Sequence, residues 1–203
     1  MRELILTVPA FLLALTIHEY AHGLIALKRG DTTALEAGRL SLSPLAHIDP
    51  IGTIIFPLLL TLSGLPVFGW AKPVPINFNR LHNPKKDLLW VGLAGPAANI
   101  IFAFCIAMIL RLTPILRLIA LGRLMFYMVI INLLLGIFNL IPVPPLDGSR
   151  ILTSLLPLRQ AIAYMRLERY GFLVMFILLW TGIIGKIVFP IVNILTYLLL
   201  GYS

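Results

Sequence analysis

The chain has 203 residues, of which 60% are hydrophobic and only 12% charged, with a mean hydropathy of +0.99. Soluble domains carry about 25% charged residues, so this composition excludes a soluble globular protein and indicates an integral membrane protein. The net charge of +8 is no sign of nucleic-acid binding, because the basic residues flank apolar segments and no basic run is interleaved with aromatics.

A spanning helix needs about 20 mostly apolar residues. Residues 4–27 qualify and end at Lys28-Arg29-Gly30. The charged stretch before them, Met1-Arg2-Glu3, is minimal, and cleavage near Ala10 or Ala14 would shorten the span. This segment is therefore expected to be an uncleaved first helix. Residues 37–50 and 68–79 are irregular and rich in Pro, Gly and Ser; Pro73 and Pro75 favour extended backbone between them. Residues 51–62 are apolar but reach only about 18 Å as a helix, against about 30 Å of hydrocarbon. With Pro57 in the middle, they read as a re-entrant or short tilted piece.

Residues 88–110 form a second full span, which holds the lone cysteine, Cys105, as a small hydrophobe. Residues 124–141 form a third, ended by Pro142-Val143-Pro144-Pro145. Residues 158–170, with Arg159, Arg166 and Arg169 among apolar residues, read as an interfacial amphipathic helix. Residues 171–200 are one apolar tract interrupted at Gly185-Lys186, long for one crossing and tight for two. The expected fold is an all-α polytopic membrane bundle of about four to six membrane segments. Short extended or re-entrant stretches separate its first and second full spans. It forms a single domain over residues 1–203.

The first span carries His18-Glu19-Tyr20-Ala21-His22. On a helix, His18 and His22 lie one turn apart on one face and can share a metal ion. Glu19 is rotated away from that face and suits a general base acting on water beside the metal. Ionisable groups inside a span are costly and usually functional. A hydrolytic zinc site needs a third protein ligand. Asp147 is the strongest candidate, because it follows a span directly after the prolines and begins the next helix from a cap position beside Gly148. His47 and Asp49 are the alternatives, although Asp49 is equally suited to capping a segment that starts at Pro50.

Three runs, His18 to His22, AGPAAN at Ala94 to Asn99, and NLIPVPPLDG at Asn139 to Gly148, resemble the site-2 protease family of intramembrane zinc metalloproteases. The linkers HIDPIGT from His47 and GWAKPVPIN from Gly69 resemble those of its compact prokaryotic members, which lack PDZ and CBS domains. The resemblance implies one zinc ion per chain, held by His18, His22 and Asp147, with Glu19 as the catalytic carboxylate and Asn139 near the active site. It implies a catalytic core over about residues 4–156, followed by C-terminal apolar helices over residues 157–203. The family often continues Asp-Gly-Gly, whereas this chain reads Asp147-Gly148-Ser149.

Equal depth of His18, His22 and Asp147 requires an odd number of crossings between the first and third spans, so residues 51–62 should enter and return. Eleven of the 16 Lys and Arg then lie on the side of residues 28–86 and 142–169. The positive-inside rule puts that side in the cytoplasm. The expectation is a multi-pass protein of a prokaryotic cell membrane with its active site toward the cytoplasm, acting on membrane-embedded protein substrates. An unwound substrate could pair as a strand with the extended stretches at residues 40–42 and 74–76. Asn139 could donate to a developing oxyanion or make an interhelical hydrogen bond. Asn99 reads first as a helix-packing residue, and Trp70, Trp90 and Trp180 as interface or packing residues. A non-catalytic metal-containing membrane binding protein is the alternative function, but it has no use for Glu19. A metal transporter is disfavoured by four histidines without a His-rich loop.

Overall fold

A computed structural model describes residues 2–65, 69–114 and 120–201. Phe68, the first residue of one irregular stretch, and Arg117, one of the charges counted for topology, lie outside the described residues. Among the described residues the chain is helical and contains no strand. It is an all-α polytopic membrane bundle.

Helix α1 spans Arg2–Lys28 and carries Pro9 within it. Helix α2, Thr33–Glu36, follows after a four-residue connection. A wide π-type turn, Pro50–Ile55, runs into the short helix α3, Phe56–Leu62. Helix α4 covers Pro84–Leu112, α5 Ala120–Asn139, α6 Asp147–Leu155, α7 Leu158–Met165, α8 Gly171–Trp180 and α9 Ile183–Leu200. Among the described residues four helices are long and apolar enough to cross a membrane, namely Ile5–Lys28 of α1, α4, α5 and α9. The apolar piece Pro50–Leu62 is too short to be one of them.

The C-terminal tract breaks earlier than the sequence suggests. The turn falls at Thr181-Gly182, with Gly182 at φ +70°, rather than at Gly185-Lys186, which continue inside α9. Lys186 was an ambiguous breaker because one long side chain near a span end can reach the interface; a glycine in the left-handed region ends a helix outright.

Helix α4 is the hub, packing against α1, α5, α6 and α9. Its start is fixed by chemistry as well as by packing. Pro84 occupies the first turn, and the Asp87 carboxylate accepts the Asn83 N–H at 2.7 Å. Asp87 also faces Arg29 at 3.3 Å, which ties the end of α1 to the start of α4. The apolar core joins Ala103, Ala107 and Leu110 of α4, Met125, Val129 and Leu133 of α5, and Val188, Val192 and Leu200 of α9. Small residues on α4 let these helices approach closely, as is usual where lipid removes the hydrophobic drive between helices.

The loop between α1 and α4 is held by polar contacts rather than by sheet. The Asp49 carboxylate accepts the Gly52 N–H at 2.6 Å, the capping role open to it in the sequence. Trp70 N–H donates to Gly52 O and Lys72 N–H to His47 O, at 3.1 and 3.0 Å. Trp70 lies edge-on against Phe172 of α8. These contacts lay residues 70–74 as a strap across the loop.

Candidate metal centre

His18 and His22 project from one face of α1, as a four-residue spacing requires. Asp147 arrives from a different direction. After α5 ends at Asn139, the proline turn reverses the chain, and α6 begins at Asp147 itself. The preceding residue, Leu146, is the cap, so Asp147 caps nothing with its side chain and is free for another role. Gly148 makes the reversal possible. A Cβ there would stand 2.3 Å from Leu140 O and 2.4 Å from Ile141 O.

The result is a tight triangle. Asp147 Oδ2 is 2.9 Å from His18 Nε2 and 3.0 Å from His22 Nε2, and the two Nε2 atoms are 3.0 Å apart. All three residues are buried. Among the described residues this is the one His/Cys/Asp/Glu group close enough to hold a metal ion.

The outward ring nitrogens bear on what the triangle can hold. His22 Nδ1 faces Val91 O at 2.7 Å, and a carbonyl can only accept, so Nδ1 carries the proton. His18 Nδ1 faces Asn99 Oδ1 at 2.7 Å. The Asn99 amide is oriented because its nitrogen donates to Ala14 O at 2.9 Å and to Asn132 Oδ1 at 2.7 Å. Asn132 in turn donates to Met128 O at 2.8 Å. In their neutral forms, the ones that ligate metals, both imidazoles therefore turn lone pairs inward, toward a carboxylate oxygen. Three acceptors at 2.9–3.0 Å without a proton between them would repel one another; a cation at their centre would relieve this.

The donor set fits zinc. Zn–N bonds of about 2.0–2.1 Å in a tetrahedron place ligand atoms about 3.3 Å apart, close to the edges seen here. A metal-bound His that donates its other N–H to an oxygen is the usual supporting arrangement. Helix α4 leaves the room. A Cβ on Gly95 would lie 2.4 Å from His22 Nε2 and 2.7 Å from His18 Nε2. Asp147 Oδ1, the oxygen outside the triangle, has Arg150 at 3.4 Å.

Glu19 is buried beside this centre, and its Oε2 accepts the Val74 N–H of the strap at 2.8 Å. The other candidates are elsewhere. His47 is fully buried in the loop, with Nε2 bonded to Ser41 O at 2.8 Å. Asn139 is half-buried, and its amide donates to Leu135 O of its own helix at 3.0 Å.

Comparison with known proteins bears on the same residues. The sequence model of peptidase family M50 matches residues 113–182, which include Asp147. The "Putative zinc metalloprotease YwhC" of Bacillus subtilis is 37% identical over 193 residues, 92% of this chain and 85% of that protein. The chain belongs to peptidase family M50. The "Putative zinc metalloprotease Rip2" of Mycolicibacterium smegmatis is 28% identical over 191 residues, 93% of this chain and 71% of that protein. The "Zinc metalloprotease MJ0392" of Methanocaldococcus jannaschii is 33% identical over 90 residues, 44% of this chain and 23% of that protein. No solved structure matches at a significant level. This M50 chain is thus a zinc metalloprotease of the site-2 type, as its sequence motifs implied.

Asn132 and Gly95 were missed in the sequence as parts of this centre. Asn132 had a usable signal, since a carboxamide in the middle of Ile131-Asn132-Leu133-Leu134 is a polar group at membrane depth. Gly95 had none beyond its small size.

Proposed function

We propose that this M50 protein cleaves transmembrane protein substrates near the cytoplasmic face, with one zinc ion held by His18, His22 and Asp147. The convergence of three lone-pair atoms at 2.9–3.0 Å, with both outward ring nitrogens already donating, carries this reading. Zinc supplies Lewis acidity to a water molecule and to the scissile carbonyl.

The protein's own groups do the rest. Val74 N–H fixes Glu19 Oε2, which leaves Oε1 to take the proton from water and return it to the leaving amine. Asp147 stays ionised as a ligand, and Arg150 faces its outer oxygen. Asn139 donates one amide N–H to Leu135 O, and its second N–H is the donor that would meet a substrate oxyanion.

A helical substrate hides its carbonyls in its own hydrogen bonds, so it must unwind locally before attack. A centre close to the basic, cytoplasmic side lowers that cost, because water is near. The eleven basic residues on the side of residues 28–86 and 142–169 support this orientation.

The test is a paired assay on the full chain purified in detergent, with a transmembrane peptide that carries a helix-breaking residue as substrate. Glu19→Gln should retain zinc and lose cleavage by about 10²–10⁴-fold. Unchanged cleavage in that variant refutes the role of Glu19.

A further inference from the structure

We propose that Asn99 and Asn132 are positioning residues of the metal centre, which set the tautomer and ring rotation of His18 by a relay running from α5 through α4 to α1. The proposal rests on the reading of His18, His22 and Asp147 as zinc ligands.

The two histidines are supported differently. His22 leans on Val91 O, a backbone acceptor that no substitution removes. His18 leans on a side chain, Asn99, whose own orientation depends on Asn132. Both asparagines are fully buried, on the apolar interior faces of α4 and α5. An unpaired amide there would be costly. Here the chain of bonds is continuous: Asn132 nitrogen to Met128 O, Asn99 nitrogen to Asn132 Oδ1 and to Ala14 O, His18 Nδ1 to Asn99 Oδ1, all between 2.7 and 2.9 Å. The Met128 and Ala14 carbonyls at its ends can only accept, so the direction of every bond is fixed. If the Asn99 amide flipped, it would present N–H to His18, move the imidazole proton to Nε2 and remove the lone pair aimed at the metal.

Asn99 thus makes two separable kinds of contact. Its N–H groups join α1 and α5 to α4, which is helix packing. Its oxygen faces His18, which is positioning. Packing needs the donors and positioning needs the acceptor, and substitutions can tell them apart.

The experiment measures the zinc dissociation constant of the full chain in detergent by competition with a chromophoric chelator. Melting of the zinc-free protein is recorded for each variant. Asn99→Leu and Asn132→Leu should weaken zinc binding by about 10–100-fold. Asn99→Asp keeps an acceptor toward His18 but loses both donors, and should bind zinc close to wild type even where its melting temperature falls. Asn99→Asp as weak as Asn99→Leu overturns the proposal, because the donors would then be what matters. Unchanged zinc binding in Asn99→Leu and Asn132→Leu, beside a loss in His18→Ala, overturns the relay and leaves the zinc ligands standing. His18→Ala that binds zinc as wild type does removes the ligand reading and the relay with it. If Asn99→Leu does not fold, Asn132→Leu decides, since it leaves Asn99 in place.

Discussion

Adding one methyl group at Gly95 should empty the metal centre while leaving the bundle folded. The new Cβ would stand 2.4 Å from His22 Nε2, 2.6 Å from His18 Cε1 and 2.7 Å from His18 Nε2. Real Cβ contacts do not fall below 3.0 Å, and ordinary contact begins at 3.4 Å. His22 Nε2 must therefore retreat by about 0.6–1 Å, against a tolerance of about ±0.2 Å for a zinc–ligand distance. If α1 and α4 separate instead, the same displacement stretches the 2.7 Å bonds from His18 to Asn99 and from His22 to Val91 beyond hydrogen-bond range. Neither route preserves the site. Overpacking costs about 1–3 kcal/mol, and the gain of Ala over Gly in a helix offsets up to about 1 kcal/mol, so the protein should still fold. Metal content after dialysis against a mild chelator, with melting curves with and without zinc, reads both effects. Gly95→Ala that holds zinc at wild-type affinity and cleaves substrate would refute the close-approach argument.

Three further outcomes follow from other contacts. Val74→Pro removes the N–H that Glu19 Oε2 accepts, between two prolines that already favour the extended backbone. One hydrogen bond to a charged group is worth about 1.5–3 kcal/mol, so kcat should fall about 10–100-fold with zinc retained; an unchanged kcat contradicts the assigned role. Burial alone would raise the Asp31 carboxyl, but the Thr33 hydroxyl and N–H and the Asn77 N–H hold it below the usual carboxylate range. Its stabilising contribution is full above about pH 3.9 and lost as pH falls through the lower folded value. Asp31→Ala should therefore cost about 1–3 kcal/mol at pH 7 and progressively less in acid, so a melting difference independent of pH argues against it. Ser63→Cys, made after exposed Cys105 is replaced by Ala, should label with an impermeant thiol reagent from the cytoplasmic side; labelling from outside breaks the topology.

The sequence discloses residues whose chemistry is out of place, and this explains what it revealed. His18, Glu19 and His22 stand out because their spacing and depth leave few other uses. Asp147 stands out by its place after the proline break, and equal depth with the His pair then requires residues 51–62 to enter and return; the structure shows that Pro50–Leu62 is a short apolar piece. The supports are harder to see. Val91 holds His22 by a carbonyl and Val74 holds Glu19 by an N–H, and every residue but proline offers a carbonyl and an N–H alike. Gly95 acts by having no side chain. Asn99 reads as a packing residue because its partners, His18 and Asn132, are 81 and 33 positions away. The end of α8 was misplaced because Gly182 and Gly185 are equivalent as letters and differ only in φ.

In the proposed metal centre, two imidazoles of α1 and the first carboxylate of α6 hold one metal ion between them. X-ray absorption at the zinc edge of the purified, zinc-loaded chain tests it most directly, with the Asp147→Ala variant beside it. The expected result is one zinc per chain with two imidazole ligands and oxygen neighbours at about 2.0–2.2 Å, and loss of that zinc from Asp147→Ala. A sulfur neighbour, a third imidazole, or full zinc occupancy without Asp147 would contradict it.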